Sequence, residues 1–177
     1  MQPRRRQRQL LAALVRLMAF TLPSLPRYLY GPALLILTMN YAGSCNCKKW
    51  KIRISIAEPL GSFNPRICDC DYCASHPSAV ISDPRMKIEL FGTTPDLVVN
   101  RNGDRLASFY HCNSCGELLA VGREVDGCLR GAVNALLLEQ KDLLGNSVRI
   151  QPRLLSAGEK LLRWSQLWGS LHGVDSI

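Results

Sequence analysis

Three cysteines fall within six residues in Cys68-Asp69-Cys70-Asp71-Tyr72-Cys73. That density fits neither a disulfide, which consumes two, nor a closed structural zinc site, which takes four. Two further pairs flank the cluster, Cys45-Asn46-Cys47 upstream and Cys112-Asn113-Ser114-Cys115-Gly116 downstream, and Cys128 stands alone. Eight cysteines would allow a disulfide framework, but such frameworks belong mainly to short secreted chains with small cores. A chain of 177 residues can bury a core without covalent staples. Thiols one or three residues apart aim several sulfurs at one centre, as a metal requires, whereas disulfide partners need separate matching positions.

The C-x-x-C-G segment is the most specific of the three. A tight turn points both thiolates at one ion, and Gly116 supplies the positive φ that lets backbone N–H groups approach the sulfurs. Cys45 and Cys47 can complete a tetrahedral shell with Cys112 and Cys115 if the fold brings the two segments together. Four thiolates close that shell, so the expected site is a structural zinc on which folding depends. Cys68, Cys70 and Cys73 are then left as a three-thiolate zinc site with one open position, which is where zinc performs chemistry.

Three thiolates leave a divalent ion with a charge of about −1, a poor Lewis acid for activating water. Such a centre holds another soft ligand well, and the expected one is a small-molecule thiol bound as its thiolate. A closed second site is the alternative, with Asp69, Asp71, His76 or His111 as fourth ligand. The simpler readings are solvated loop carboxylates for the two aspartates, an ordered turn for His76 before Pro77, and a core position for His111. Cys128, in an apolar segment, reads as a buried thiol.

These residues need a scaffold, and the pattern around them is mainly β. In "WKIRISI", Trp50, Ile52, Ile54 and Ile56 share one face, with Lys51, Arg53 and Ser55 on the other, which predicts a half-buried strand. "EPLGSFNPRICDCDYC" is rich in turn formers and reads as a loop carrying the cysteines. "AVIS", "MKIELFG" and "LVVN" read as strands, Asn102-Gly103 signals a hairpin, and "ASFYHCNSCGELLAVG" and "GCLRGAVNALLL" carry further strands. The economical sum is antiparallel β-structure. Ser156 followed by Glu159 is a capping-box signature and predicts a C-terminal helix over about 156–171. Trp164 and Trp168 read as its packing residues.

The net charge of +8 suggests nucleic acid until it is located. Residues 1–40 hold six arginines and no acid, leaving 16 basic against 14 acidic residues in the remainder, a balance of +2. The basicity thus belongs to an extension, residues 1–38, set apart from a single zinc-binding domain, residues 39–177. The extension has a basic start and an apolar run that Arg16 interrupts, without a convincing cleavage site. Its second apolar run, Tyr28 to Met39, is shorter than the roughly 20 residues a membrane span needs. The candidate readings are an amphipathic surface anchor, an atypical targeting segment, or sequence upstream of the true start; the last is preferred because Met39 immediately precedes the first motif. The expected location is cytoplasmic.

The motifs "GSCNC", "PRICDCDYC" and "YHCNSCG", in this order and separation, resemble the glutathione-dependent formaldehyde-activating enzyme family, a zinc-binding group that includes centromere protein V. The resemblance covers roughly Tyr41 to Leu138. It implies a mainly β, tent-like fold with two zinc ions, the first and third motifs holding the structural one and the central motif the catalytic one. It also implies carbon–sulfur bond formation or cleavage, the condensation of glutathione with formaldehyde to S-hydroxymethylglutathione or its reverse. Asn46 and Lys48 depart from the His and Gly usual at those positions, and neither change removes a ligand. Arg66 and Arg85 are candidates for pairing with a tripeptide's carboxylates.

The expected function is therefore a zinc-dependent lyase-type enzyme that adds a small, glutathione-like thiol to an aldehyde or reverses that addition, the thiol and the aldehyde being its partners. The alternative is a non-catalytic interaction module with two structural zinc ions. Nucleic acid is not expected as a partner, nor a membrane unless the extension is an anchor.

Overall fold

The structure, a computed structural model, describes residues 38–174; residues 1–37 of the extension lie outside them. Eleven strands and two helices follow in chain order: β1 (Met39–Ser44), β2 (Lys51–Ile56), β3 (Arg66–Cys68), α1 (Asp71–Ser75), β4 (Val80–Ile81), β5 (Lys87–Phe91), β6 (Leu97–Arg101), β7 (Ser108–Cys112), β8 (Leu118–Val125), β9 (Cys128–Asn134), β10 (Val148–Ile150), α2 (Ala157–Leu167) and β11 (Gly169–His172). The expected mainly β class holds. The strands join in the order β1-β2-β5-β11-β9-β4-β3-β10, and β6-β7-β8 branches from β9 through β8. Pairing is antiparallel throughout except for β3 with β10 and β5 with β11. Among the described residues no helix is long and apolar enough to cross a membrane.

The alternation read in "WKIRISI" is realised as expected. Ile52, Ile54 and Ile56 are buried while Lys51 and Arg53 face solvent, and β2 zips to β1 with Ile54 opposite Tyr41. Burying each isoleucine is worth about 1.5–3 kcal/mol relative to exposing it, so this face anchors the sheet. Ile88 and Leu90 of β5, Leu119 of β8 and Leu171 of β11 complete the same core. Trp50 packs into it so closely that a Cβ on Gly92 would meet the indole at 2.4 Å, which only glycine tolerates.

The tight hairpin turn lies elsewhere than Asn102-Gly103. Asn102-Gly103 lies in the β6–β7 connection as expected, but that loop runs from Asn102 to Ala107 rather than closing in two residues. The two-residue turn is instead Asp126-Gly127 between β8 and β9, with φ of 51° and 73°, the mirror-image conformation that tight hairpins favour. It carries a correction for Cys128. That residue opens β9 beside the turn, beyond the reach of the core, and its thiol is exposed rather than buried.

The helix expected over 156–171 begins as predicted and ends early. Ser156 accepts from the Glu159 N–H while the Glu159 carboxylate accepts from the Ser156 N–H, so the capping box is complete. After Leu167, however, the chain extends into β11, parallel to β5 and antiparallel to β9. Gly169 permits this, since a Cβ there would sit 2.2 Å from the Met86 carbonyl oxygen. Trp168 and Leu171 match a helical spacing, which disguised the switch to a strand whose Leu171 fills the core.

Candidate metal centres

The first cluster joins the turns of two hairpins. Cys45 and Cys47 lie in the β1–β2 connection, and Cys112 and Cys115 at the end of β7 and in its turn to β8. In the first turn the Lys48 N–H donates to the Cys45 carbonyl at 3.0 Å and the Trp50 N–H to the Cys45 Sγ at 3.4 Å. In the second the Gly116 N–H reaches the Cys112 carbonyl at 2.8 Å, with Gly116 at φ 73° as its position requires. Lys48, standing where the resembled family has glycine, adopts the same left-handed region at φ 63°.

A short helical turn, Thr94–Asp96, pins the two hairpin turns together. The Asp96 carbonyl accepts from the Trp50 indole at 2.9 Å and from the Asn113 N–H at 2.8 Å, and its carboxylate pairs with Lys49 at 2.7 Å. Lys49 holds the Asp96 carboxyl below the usual carboxylate range. Glu117 adds a further clasp by accepting from the Asn46 N–H at 2.6 Å. Asp96 and Glu117 have no motif signature, so spacing alone could not find them.

The outcome is four sulfurs within 4.8 Å of one another, an arrangement that can hold a metal ion. Cys47 lies 3.5 Å from Cys45 and 3.4 Å from Cys112, far beyond an S–S bond of about 2.05 Å and close to the roughly 3.8 Å between thiolates on a tetrahedral ion with 2.3 Å bonds. Burial pushes the Cys45 thiol up to about 12 and raises Cys112 for the same reason. The Lys49 N–H pulls Cys47 down to about 7. An ion would replace the protons of these thiols with one shared charge.

The second cluster is local in sequence and long-range in support. The expected loop contains a strand here: β3 runs parallel to β10, Arg66 opposite Val148 and Cys68 opposite Ile150. The Asp69 N–H continues the pairing to the Ile150 carbonyl at 3.3 Å. Cys70 then caps α1, and Cys73, three residues on, returns to the same face. Asp69 turns away to Gln151 at 2.6 Å and to Arg153 at 3.2 Å. Arg153 foremost holds its carboxyl below the usual range.

The Cys68, Cys70 and Cys73 sulfurs lie within 4.8 Å of one another, with Cys68 and Cys70 3.4 Å apart, and this group too can hold a metal ion. Among the described residues no His, Asp or Glu joins the three. His111 spends both ring nitrogens elsewhere, Nδ1 on the Gly116 carbonyl at 3.0 Å and Nε2 on the Tyr72 hydroxyl at 2.7 Å. The first contact makes Nδ1 the donor, so Nε2 accepts from Tyr72. Burial lowers the His111 pKa, consistent with a neutral ring. His76 stacks on Tyr72 with ring centroids 4.6 Å apart and holds its carbonyl through Nδ1 at 2.9 Å.

A hydrogen bond from Cys73 pulls the Cys68 thiol down to about 6 against the effect of burial, while Cys73 is pushed up by the same bond. Cys68 and Cys73 line a cavity of about 130 Å³ whose walls include Phe109, Trp164 and Trp168. The two indoles stack 4.7 Å apart at 11°. Trp168 packs against Ala107, Val121 and Ala132 as expected, yet the pair also walls this cavity, a role its sequence did not signal.

No family model and no curated protein matches the chain. A crystal structure of a Rhodobacter sphaeroides protein is similar, at 22% identity and a TM-score of 0.47, over 62% of this chain and 99% of that one.

Proposed function

We propose that the protein is a zinc-dependent enzyme of the carbon–sulfur lyase type, which adds a small glutathione-like thiol to an aldehyde or runs that addition backward. The cysteine motifs that resemble the formaldehyde-activating family suggest the reaction, and the same reading makes the sheet a two-zinc, tent-like fold. The observation that carries it is the difference between four sulfurs in one cluster and three in the other, two of the three lining a cavity. Cys45, Cys47, Cys112 and Cys115 would hold the structural zinc, and Cys68, Cys70 and Cys73 the reactive one.

When bound, zinc would supply a soft fourth position that keeps an incoming thiol deprotonated. The chain's own part is to orient and to exclude water. α1 and β3 fix the three sulfurs on one face, and the aromatic walls keep solvent from the sulfur nucleophile. Addition forms one sulfur–carbon bond, moves the carbonyl π pair onto oxygen, and places the thiol's proton on that oxygen. The product is a hemithioacetal, and cleavage reverses each change.

Cobalt replacement tests the reading. Co²⁺ protein should show a sulfur-to-metal absorption band that changes on adding millimolar glutathione, as three thiolate ligands become four. Cys73→Ser should abolish the response. A four-sulfur spectrum at both centres, unchanged by glutathione, would instead favour two structural ions and the interaction-module alternative.

A further inference from the structure

The cavity beside Cys68 and Cys73 is apolar on most of its walls but carries two cations. Arg66 on β3 and Arg163 on α2 both line it, and no Asp or Glu does. The Arg66 guanidinium bonds the Ser82 hydroxyl, a neutral partner, and neither arginine is in an ion pair among the described residues. Arg85, the other arginine expected beside a ligand, is instead tied to Asp83 at 3.3 Å and Glu58 at 3.6 Å. Both cations border one space that no carboxylate lines. A partly buried guanidinium without a carboxylate is costly unless a ligand supplies one.

Size narrows the ligand. The cavity, about 130 Å³, is below the roughly 300–1,000 Å³ typical of sites for drug-sized molecules and near the ~150 Å³ that accommodates a single benzene ring. Trp164, Trp168 and Phe109 offer flat apolar faces to such a ring. A polar tripeptide has neither the size nor the surface for this space, and could place only its thiol end there.

We infer that the cavity binds a small carboxylate with a ring-sized apolar body, its carboxylate on Arg66 and Arg163 and its reacting carbon or sulfur toward the three cysteines. This rests on reading the three-cysteine cluster as the reactive centre, and it makes an aromatic or branched acid, rather than formaldehyde, the partner that fills the cavity.

Benzoate and its neutral counterpart benzamide separate the inference from the thiol chemistry, because neither contains sulfur. Titration calorimetry on the full, metal-loaded chain, with tryptophan emission as a second signal, should give benzoate at least about a tenfold advantage over benzamide. Arg163→Gln, on the exposed helix surface, and Arg66→Met should each remove most of that advantage, and Arg85→Gln, away from the cavity, should keep it. Equal binding of the two probes, no binding of either, or an advantage that survives both arginine substitutions would overturn the inference. So would an equal loss in Arg85→Gln, which would make the advantage one of overall charge. The cobalt titration with glutathione fails or succeeds independently of these outcomes.

Discussion

Cys45, Cys47, Cys112 and Cys115 come from the turns of two hairpins fastened over Asp96, whereas Cys68, Cys70 and Cys73 follow one another along a strand end and a single helical turn. The first group joins segments more than sixty positions apart, as the Cys47–Cys112 contact does, so an ion held there would crosslink the domain. The second group needs no ion to bring its sulfurs together in sequence, and its surroundings are a cavity rather than a clasp. The same side chain thus gathers at a junction of distant segments in one place and beside free space in the other. Number of sulfurs matters less to this difference than what the backbone around them is tied to.

The sharpest way to break the comparison is to remove one sulfur from each side. Cys115→Ser should unfold the domain, since metal binding at such a site is worth about 10–16 kcal/mol, comparable to or above the whole stability of a domain. Cys73→Ser should leave a folded protein with one ion fewer. Circular dichroism and metal analysis of both variants decide this, and equal unfolding would erase the distinction.

A smaller effect probes the link between the clusters. Tyr72 sits between Cys70 and Cys73, and its hydroxyl supports His111, which in turn holds the Gly116 carbonyl beside Cys115. Tyr72→Phe leaves a buried ring nitrogen without its donor and should cost about 1–3 kcal/mol, lowering the thermal midpoint by several degrees. An unchanged midpoint would mean the two clusters stand independently.

Thiol reactivity sharpens the contrast further. In protein stripped of metal at the three-cysteine cluster alone, Cys68, pulled down to about 6, should be the first cysteine of that cluster alkylated at pH 7, with Cys73, pushed up by the same hydrogen bond, the last. A depressed thiol pKa favours the folded state above the unfolded value near 9, and that contribution is lost as pH falls toward 6. Alkylation at Cys68 should stay high above pH 7 and fall as pH drops through about 6. Mass mapping after brief iodoacetamide treatment reads the order, and an early reaction at Cys73 would contradict it.

The smallest effect belongs to Lys48. Glycine at its left-handed position would relieve backbone strain, offset in part by a more flexible unfolded chain, for a gain of at most about 1 kcal/mol. Denaturant unfolding of Lys48→Gly should show a slightly raised midpoint, and a lowered one would assign the lysine a stabilising role through its 2.9 Å bond to Ser44.

What the sequence made legible follows from the range of the physics. Alternation exposed β2, the Ser156–Glu159 pair located the start of α2, and cysteine spacing grouped the sulfurs as they are found. Three-residue β3 has no period to read, and its partner β10 lies far along the chain, so parallel pairing hid inside an apparent loop. Arg163 and the two tryptophans face the cavity only because α2 packs where it does. Cys128 was misplaced because an apolar neighbourhood in sequence is not burial when the residue stands at a hairpin end.

The pairing of β3 with β10 also sets a timetable. Gln151 and Arg153 reach Asp69 from 82 and 84 positions downstream, and α2 comes later still. At synthesis rates of about 5–20 residues per second, the three central cysteines leave the ribosome roughly 4–16 s before the segment that braces them exists. During that interval they are naked thiols on a growing chain. The hairpin turns of the other cluster are complete by Leu118, some thirty residues before β10 is made. The turns of the four-cysteine cluster can therefore meet first, whereas the cavity beside the other three is walled only as the last helix is delivered.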